Sequence, residues 1–271
     1  MTEPQIARSS AGQAEAEASG PPEIPRWKVV HRLLSRFDDP RYLEVGVNRG
    51  QTFHRVRAAE LVAVDPDFLF DHEAEAKERP NATYHSMTSD QYFGSVIGAD
   101  ELFDVIFLDG LHTFEQTLRD LVNALDHLAP RGVIVIDDVR PPFYDASLPD
   151  HDSAVRVRDI VGQTKQVWMG DVYRLIWFID TFFQNLSYRT ISNNHGQAVV
   201  WREARPCVTE RTVRSIAELS FEDYLLTPDV LRLRTFFQIF KELKPVIGRG
   251  VDPSDDGDAD DDDGGAAASS S

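Results

Sequence analysis

"DVIFLDGLHTFEQTLRDLVNALDHLAPRGVIVIDDV", Asp104–Val139, holds two apolar runs that both end in aspartate. Phe103–Leu108 stops at Asp109-Gly110, and Val133–Ile136 stops at Asp137-Asp138. Short apolar runs bounded by turn residues read as strands buried on both faces, as in a parallel sheet. The segment between them reads as a helix. Thr113-Phe114-Glu115-Gln116 fits a capping box, in which Thr113 accepts from the backbone and Gln116 returns the contact. Phe114, Leu118, Leu121, Val122, Leu125 and Leu128 then recur at helical spacing, and Pro130-Arg131-Gly132 closes the segment.

The same alternation extends in both directions. Tyr42–Val47, Leu61–Val64 (ending at Asp65) and Ala82–His85 read as strands. Gly50–Ala58, Asp71–Glu78 and Ser89–Phe93 read as the helices that follow them. Downstream, Asp171–Leu186 reads as a helix with Val172, Leu175, Ile176, Ile179, Phe182 and Phe183 turned inward. Strands at Ser187–Ser192 and Gln197–Trp201 flank an Asn193-Asn194-His195-Gly196 turn, and a closing helical segment runs from Phe221 to Leu243. This order implies an α/β, Rossmann-like fold. Its mostly parallel seven-stranded sheet would carry helices on both faces and an antiparallel strand at one edge. Ligands on such sheets bind beyond the carboxyl ends of the strands, where strand order reverses.

Composition narrows the function classes. The 271 residues are 42% hydrophobic and 10% aromatic, which suits a globular domain. The net charge of -17 is concentrated at the ends: eight aspartates fall between Asp252 and Asp263, and residues 1–25 carry a net -3. Residues 1–25 and 248–271 therefore read as disordered, the second as an acidic tail. Between them lie an α/β domain at 26–204 and a helical extension at 205–247. The rest of the chain is mildly acidic with no basic stripe, which disfavours nucleic acid as a partner. Cys207 is the only cysteine, so there is no internal disulfide and no cysteine zinc site. With no apolar run long enough to span a membrane, the expected setting is cytoplasmic, and self-association is left open.

Glu44-Val45-Gly46-Val47-Asn48-Arg49-Gly50 places glycines where a backbone turns sharply and a ligand approaches closely. A dinucleotide fingerprint needs a glycine where Asn48 stands, so pyrophosphate binding is disfavoured. Asp65, nineteen residues after Gly46 on the next strand, is placed to accept from both hydroxyls of a ribose.

"YLEVGVNRGQTF", "VAVDPD" and the quoted Asp104–Val139 region together resemble the class I S-adenosylmethionine-dependent methyltransferases. Within that class the chain is similar to the small-molecule O-methyltransferases of the methyltransferase 24 family, with "GDVYRLI" and "GQAVVW" matching later elements. The resemblance spans Trp27 to Trp201. It implies that Glu44, Gly46 and Asn48, with Gly50 shaping the turn, line the methionine end of the donor. Asp65 would then hold the ribose, Met87 and Thr88 would flank the adenine, and Asp109 would border the donor. A sulfonium donor is cationic, and a pocket edged by carboxylates suits it.

If the two quoted strands are neighbours, Asp109, Asp137 and Asp138 emerge side by side and repel one another unless something positive intervenes. A hard divalent cation, Mg2+ by preference, is one answer, gripping the hydroxyls of a small-molecule acceptor. His112, three residues past Asp109, is the local proton acceptor. The plainer alternative is a turn at Asp109-Gly110 and a capping role for Asp138. A donor-binding protein without catalysis, or a nucleotide-dependent oxidoreductase on the same architecture, also remains open. Of the other histidines none shows ligand spacing, and His54, His72, His85, His127, His151 and His195 read as surface, loop or packing residues.

Overall fold

The computed structural model describes residues 21–248. The elements run α1 (Arg26–Leu34), β1 (Arg41–Val45), β2 (Glu60–Asp65), α2 (His72–Glu78), β3 (Ala82–Ser86), α3 (Ser89–Ser95), β4 (Phe103–Leu108) and α4 (Phe114–Asp126). They continue with β5 (Leu128–Ile136), α5 (His151–Val161), α6 (Arg174–Phe182), β6 (Leu186–Thr190), β7 (Ala198–Arg202), α7 (Val213–Ala217), α8 (Phe221–Leu226) and α9 (Phe236–Leu243).

The strands form one seven-stranded sheet in the order β3-β2-β1-β4-β5-β7-β6. The first five are parallel, and β7 runs antiparallel to both β5 and β6, so the reversed strand lies one in from the edge. Strand order reverses between β1 and β4, which opens a crevice at their carboxyl ends. Side chains alternate by the two-residue period. Leu43, Val62, Val64, Ile106, Leu108, Ile134 and Ile136 pack on one face with α3, α4 and α6. Tyr42, Leu61, Ala63, Val105, Phe107, Val133 and Val135 pack on the other with α1 and α9.

Several local expectations are corrected. The segment Gly50–Ala58 is not a helix but turns around a short 3-10 stretch, Phe53–Arg55. Arg79 donates to the carbonyls of Phe53 and Val56, which a helix would use for its own ladder. The helix expected over Asp171–Leu186 is shorter, and Phe182 is half exposed instead of inward. In α4, Phe114, Thr117, Leu121 and Ala124 form the buried stripe; Val122 falls off it and is exposed. Thr113 Oγ1 accepts from Gln116 N, but the Gln116 amide turns to Ser89, Asp90 and Asp120, so the reciprocal capping contact is absent. Strand β5 starts at Leu128, and a register irregularity absorbs Pro130-Arg131-Gly132. The closing helix Phe221–Leu243 is broken by Pro228 at a 3-10 turn and by Arg232 in the left-handed region.

The terminal segments lie largely outside the described residues. Within them, Ile24 N–H donates to Asn193, and Gly248 exchanges hydrogen bonds with Arg131, so order begins before residue 25 and reaches residue 248. The extension 205–247 packs into both layers: Ile216, Leu219, Tyr224, Val230 and Leu231 join one core, and Phe236, Ile239, Leu243 and Ile247 the other. No helix among the described residues is long and apolar enough to cross a membrane.

Asp180 ties the extension down. Fully buried, it accepts from Tyr188 Oη (3.2 Å), Arg205 Nη1 (2.9 Å), Val208 N (2.7 Å) and Thr209 N (3.0 Å). Removing it strands a buried guanidinium. Asp180→Ala should destabilise the chain by about 3–5 kcal/mol, measured as a lower urea midpoint at unchanged slope. A loss below about 1 kcal/mol would contradict the anchoring role.

Candidate active site at the carboxyl rim of the sheet

The turn after β1 is built from close approach. Gly46 has φ +85°, and a Cβ there would lie 1.9 Å from the carbonyl oxygen of Asp109, so only glycine lets the β1 and β4 ends meet. Asn48 is also left-handed, at φ +50°. Asp65 holds this turn: its Oδ2 accepts from Val47 N and Asn48 N, both at 2.8 Å, and its Oδ1 accepts from Asp67 N at 2.8 Å.

A cleft of about 660 Å³ opens at this point. Glu44, Gly46, Asn48, Asp65, Thr88, Asp109 and His112 line it, together with Arg26, Gln51, Thr52, Asp90 and Gln116. Thr88 is also the N-cap of α3, where a full capping box forms with Gln91. Two expected donor contacts do not reach the cleft. Gly50 is buried in a left-handed turn against the His54 ring, and Met87 packs against the core below.

Strands β4 and β5 are neighbours in register Leu108↔Ile136, so Asp109, Asp137 and Asp138 do emerge together. They are not equivalent. Arg26, the first residue of α1, places Nη1 2.6 Å from Asp137 Oδ2 and 3.4 Å from Asp109 Oδ2. Asp137 Oδ1 accepts from Asp138 N–H at 3.0 Å, and the Asp137 side chain is 1% exposed. Both its oxygens are thereby engaged inside the protein. The expected three-aspartate Mg2+ site is therefore not built: an arginine supplies the positive charge, and Asp137 offers no open ligand atom. The donor atoms that do converge belong to Asp109, His112 and Asp138, all within 4.8 Å of one another.

His112 sits between oxygens. Its Nδ1 lies 3.1 Å from the Trp168 carbonyl and 3.1 Å from Asp138 Oδ2, while Nε2 is 3.8 Å from Asp109 Oδ1. The Trp168 indole stacks on the imidazole at 4.9 Å, and His151 meets the same indole in a T-shaped contact at 5.0 Å. Gly170, at φ +60°, passes so close that a Cβ would fall 1.7 Å from the His112 carbonyl oxygen. Asp171 Oδ1 accepts from Phe114 N at 2.7 Å, fixing the start of α4 just beyond. His195, expected to be a surface, loop or packing residue, brings Nε2 to 3.6 Å from Asp138 Oδ1.

Burial sets the charge states. Asp109 and Asp138 are pushed well above the usual carboxylate range by desolvation and then by the Asp137 charge. His112 is pushed below its ordinary 6.5, chiefly by desolvation. Burial also pulls Arg26 down, but Asp137 and Asp109 outweigh it and keep the guanidinium charged. Glu44, which accepts from Tyr42 Oη at 2.6 Å, is pushed up to about 8 by desolvation.

Residues 43–139 match the family model described as a methyltransferase domain. The stretch that builds most of the cleft is thus similar to a methyltransferase domain. No curated protein matches it. Among solved structures, a candidate O-methyltransferase from Klebsiella pneumoniae matches at 17% identity and TM-score 0.40, over 66% of this chain and 78% of that one. A candidate caffeoyl-CoA O-methyltransferase from Staphylococcus aureus matches at 14% identity and TM-score 0.46, over 67% and 85%. The O-methyltransferase TomG from Streptomyces achromogenes, involved in tomaymycin synthesis and solved with S-adenosylmethionine, matches at 15% identity and TM-score 0.39, over 65% and 79%.

Within this matched stretch, Glu44 gives a pH signature. Its carboxyl ionises near 4.5 when unfolded and near 8 in the fold, so the folded state holds a proton that the unfolded state has already lost. Stability from this group is full below pH 4.5 and falls as pH rises to about 8. Glu44→Gln should therefore raise the ligand-free melting temperature by several degrees at pH 8.5, on the order of 2 kcal/mol, and hardly at all at pH 5. Calorimetric melting at the two pH values checks it.

Proposed function

We propose that this methyltransferase moves a methyl group to a hydroxyl of a small molecule, a sugar or similar hydroxylated metabolite, with His112 as general base. The observation that carries the reading is the setting of His112. A backbone carbonyl can only accept, so the Trp168 oxygen 3.1 Å from Nδ1 requires the proton to be on Nδ1. That leaves the Nε2 lone pair as the accepting atom, on a ring that borders the cleft. Desolvation lowers the imidazole pKa, which keeps the ring neutral at pH 7 and able to take a proton.

S-adenosylmethionine, when bound, supplies a methyl carbon made electrophilic by the adjacent sulfonium. The cleft fits such a donor: carboxyl groups of Glu44, Asp65, Asp90 and Asp109 line it, Gly46 and Asn48 turn the backbone away, and Asp65 Oδ1 retains acceptor capacity for a ribose hydroxyl. The acceptor O–H bond breaks and its proton goes to His112 Nε2. The oxygen then bonds to the methyl carbon, and the carbon–sulfur electron pair stays on sulfur. Alignment of oxygen, carbon and sulfur supplies the rest of the acceleration.

The converging donor atoms of Asp109, His112 and Asp138 support a second reading, in which these residues hold a divalent ion. A mixed nitrogen and oxygen set suits Mn2+, Fe2+ or Zn2+ better than Mg2+. Such an ion, when bound, would lower the pKa of an acceptor hydroxyl. It would also occupy His112, so the two roles of that ring exclude each other.

Incubating the protein with methyl-labelled donor and a panel of hydroxylated metabolites should give a product labelled on oxygen. His112→Ala should cut that turnover about 10²–10⁴-fold while donor affinity by calorimetry stays within threefold. Label on nitrogen or carbon, or turnover that survives the substitution, would sink the reading. Separately, Asp65→Ala should weaken donor binding at least tenfold, because it loses the ribose acceptor and the anchor of the glycine turn together. Equal affinity would remove Asp65 from the donor site.

A further inference from the structure

We infer that Arg26 is the resident cation of this site: it takes the place between Asp109 and Asp137 that a divalent ion shared by the strand-end aspartates would need, and it makes methyl transfer here independent of metal. This deepens the proposed methyltransferase reading and rests on it.

The guanidinium is delivered by a rigid element. Val29, Val30, Leu33 and Leu34 of α1 are at most 2% exposed and seat the helix on the sheet, with Arg26 at its first position. Nη1 then spans Asp137 at 2.6 Å and Asp109 at 3.4 Å. Nε and Nη2 bond to no described residue, and the side chain is one-third exposed where it borders the cleft beside Glu44, Asp109 and His112. A divalent ion bound to Asp109 would sit next to this positive charge, and like charges at such separations disfavour one another by several kcal/mol at a partly buried site. The charge balance needs no second cation. Asp137 is matched by Arg26 at 2.6 Å, and the same Nη1 reaches Asp109 at 3.4 Å.

The role follows from position. When the acceptor hydroxyl gives its proton to His112 Nε2, negative charge grows on the oxygen within the same cleft. The N–H groups of Arg26 not used by Asp137 and Asp109 counter that charge, as a metal would in a metal-assisted site. A planar guanidinium keeps its charge throughout, unlike a lysine or a water.

Mn2+ serves as the probe, followed by electron paramagnetic resonance on the full chain. Binding of S-adenosylmethionine is measured by calorimetry on the same samples. The wild-type protein should show only a weak Mn2+ background from its aspartate tail, common to all forms. Arg26→Gln should gain one site at least tenfold tighter than that background, Arg26→Lys should gain none, and Arg26→Gln with Asp137→Asn should lose the gain. A tight equivalent of Mn2+ on the wild-type protein, abolished by Asp138→Asn, would overturn the inference, as would an Arg26→Gln form that folds and gains no site. Should Arg26→Gln not fold, the wild-type arm decides, because its carboxylates and arginine are intact. Absence of donor heat in every form would instead bring down the methyltransferase reading, whatever Mn2+ does.

Discussion

Five carboxylates stand at the carboxyl ends of four neighbouring strands, β2, β1, β4 and β5, and all are largely withheld from water. A buried carboxylate must be hydrogen-bonded, paired or protonated, because an isolated buried charge costs several kcal/mol. The protein uses all three solutions side by side. Asp65 receives three backbone N–H groups, and Asp137 receives Arg26. Glu44 receives the Tyr42 hydroxyl and is pushed toward protonation by desolvation, as Asp109 and Asp138 are by burial and their neighbours. The glycine turn, the position of α1 and the setting of His112 can each be traced to one of these solutions.

The region Asp104–Val139 was legible because its information is local. Two apolar runs, a capped helix and terminal acids lie within one continuous stretch, and parallel pairing of β4 with β5 follows from burial on both faces. The candidate donor residues Glu44, Gly46 and Asp65 were legible for the same reason, since a turn and the next strand end carry them. Arg26 was not. It stands 83 residues from Asp109 and 111 from Asp137, in a short helix whose pattern announces only an apolar face. A repulsion among three aspartates was readable; which cation answers it was not.

The misread segments share a cause: tertiary partners took backbone groups that local propensity would have kept. Arg79 claims the carbonyls of Phe53 and Val56, and the expected helix after Gly50 does not form. Arg234 bridges to Ile191 beyond the Pro228 turn, and the expected C-terminal helix becomes two. Asp171 faces back to Phe114 N and to Arg174, so it serves the start of α4 as much as its own segment. His195 reaches Asp138 only because the β6–β7 pair folds back beside β5, which no spacing in the sequence displays.

Placing a functional side chain such as His112 on a loop normally trades accuracy for access, because loops move more than the elements they join. Here a second loop removes that freedom. The Trp168 indole N–H donates to Leu148 at 2.8 Å, Met169 N–H donates to Ala146 at 2.9 Å, and the intervening chain presses Trp168 and Gly170 onto His112. One carbonyl sets the tautomer, one ring sets the plane, and one glycine sets the distance. The same segment, between α5 and α6, thus forms the wall behind His112. Changes in its side chains would alter the packing on the imidazole, while the pull on the Nδ1 proton would persist through a backbone oxygen that no substitution deletes.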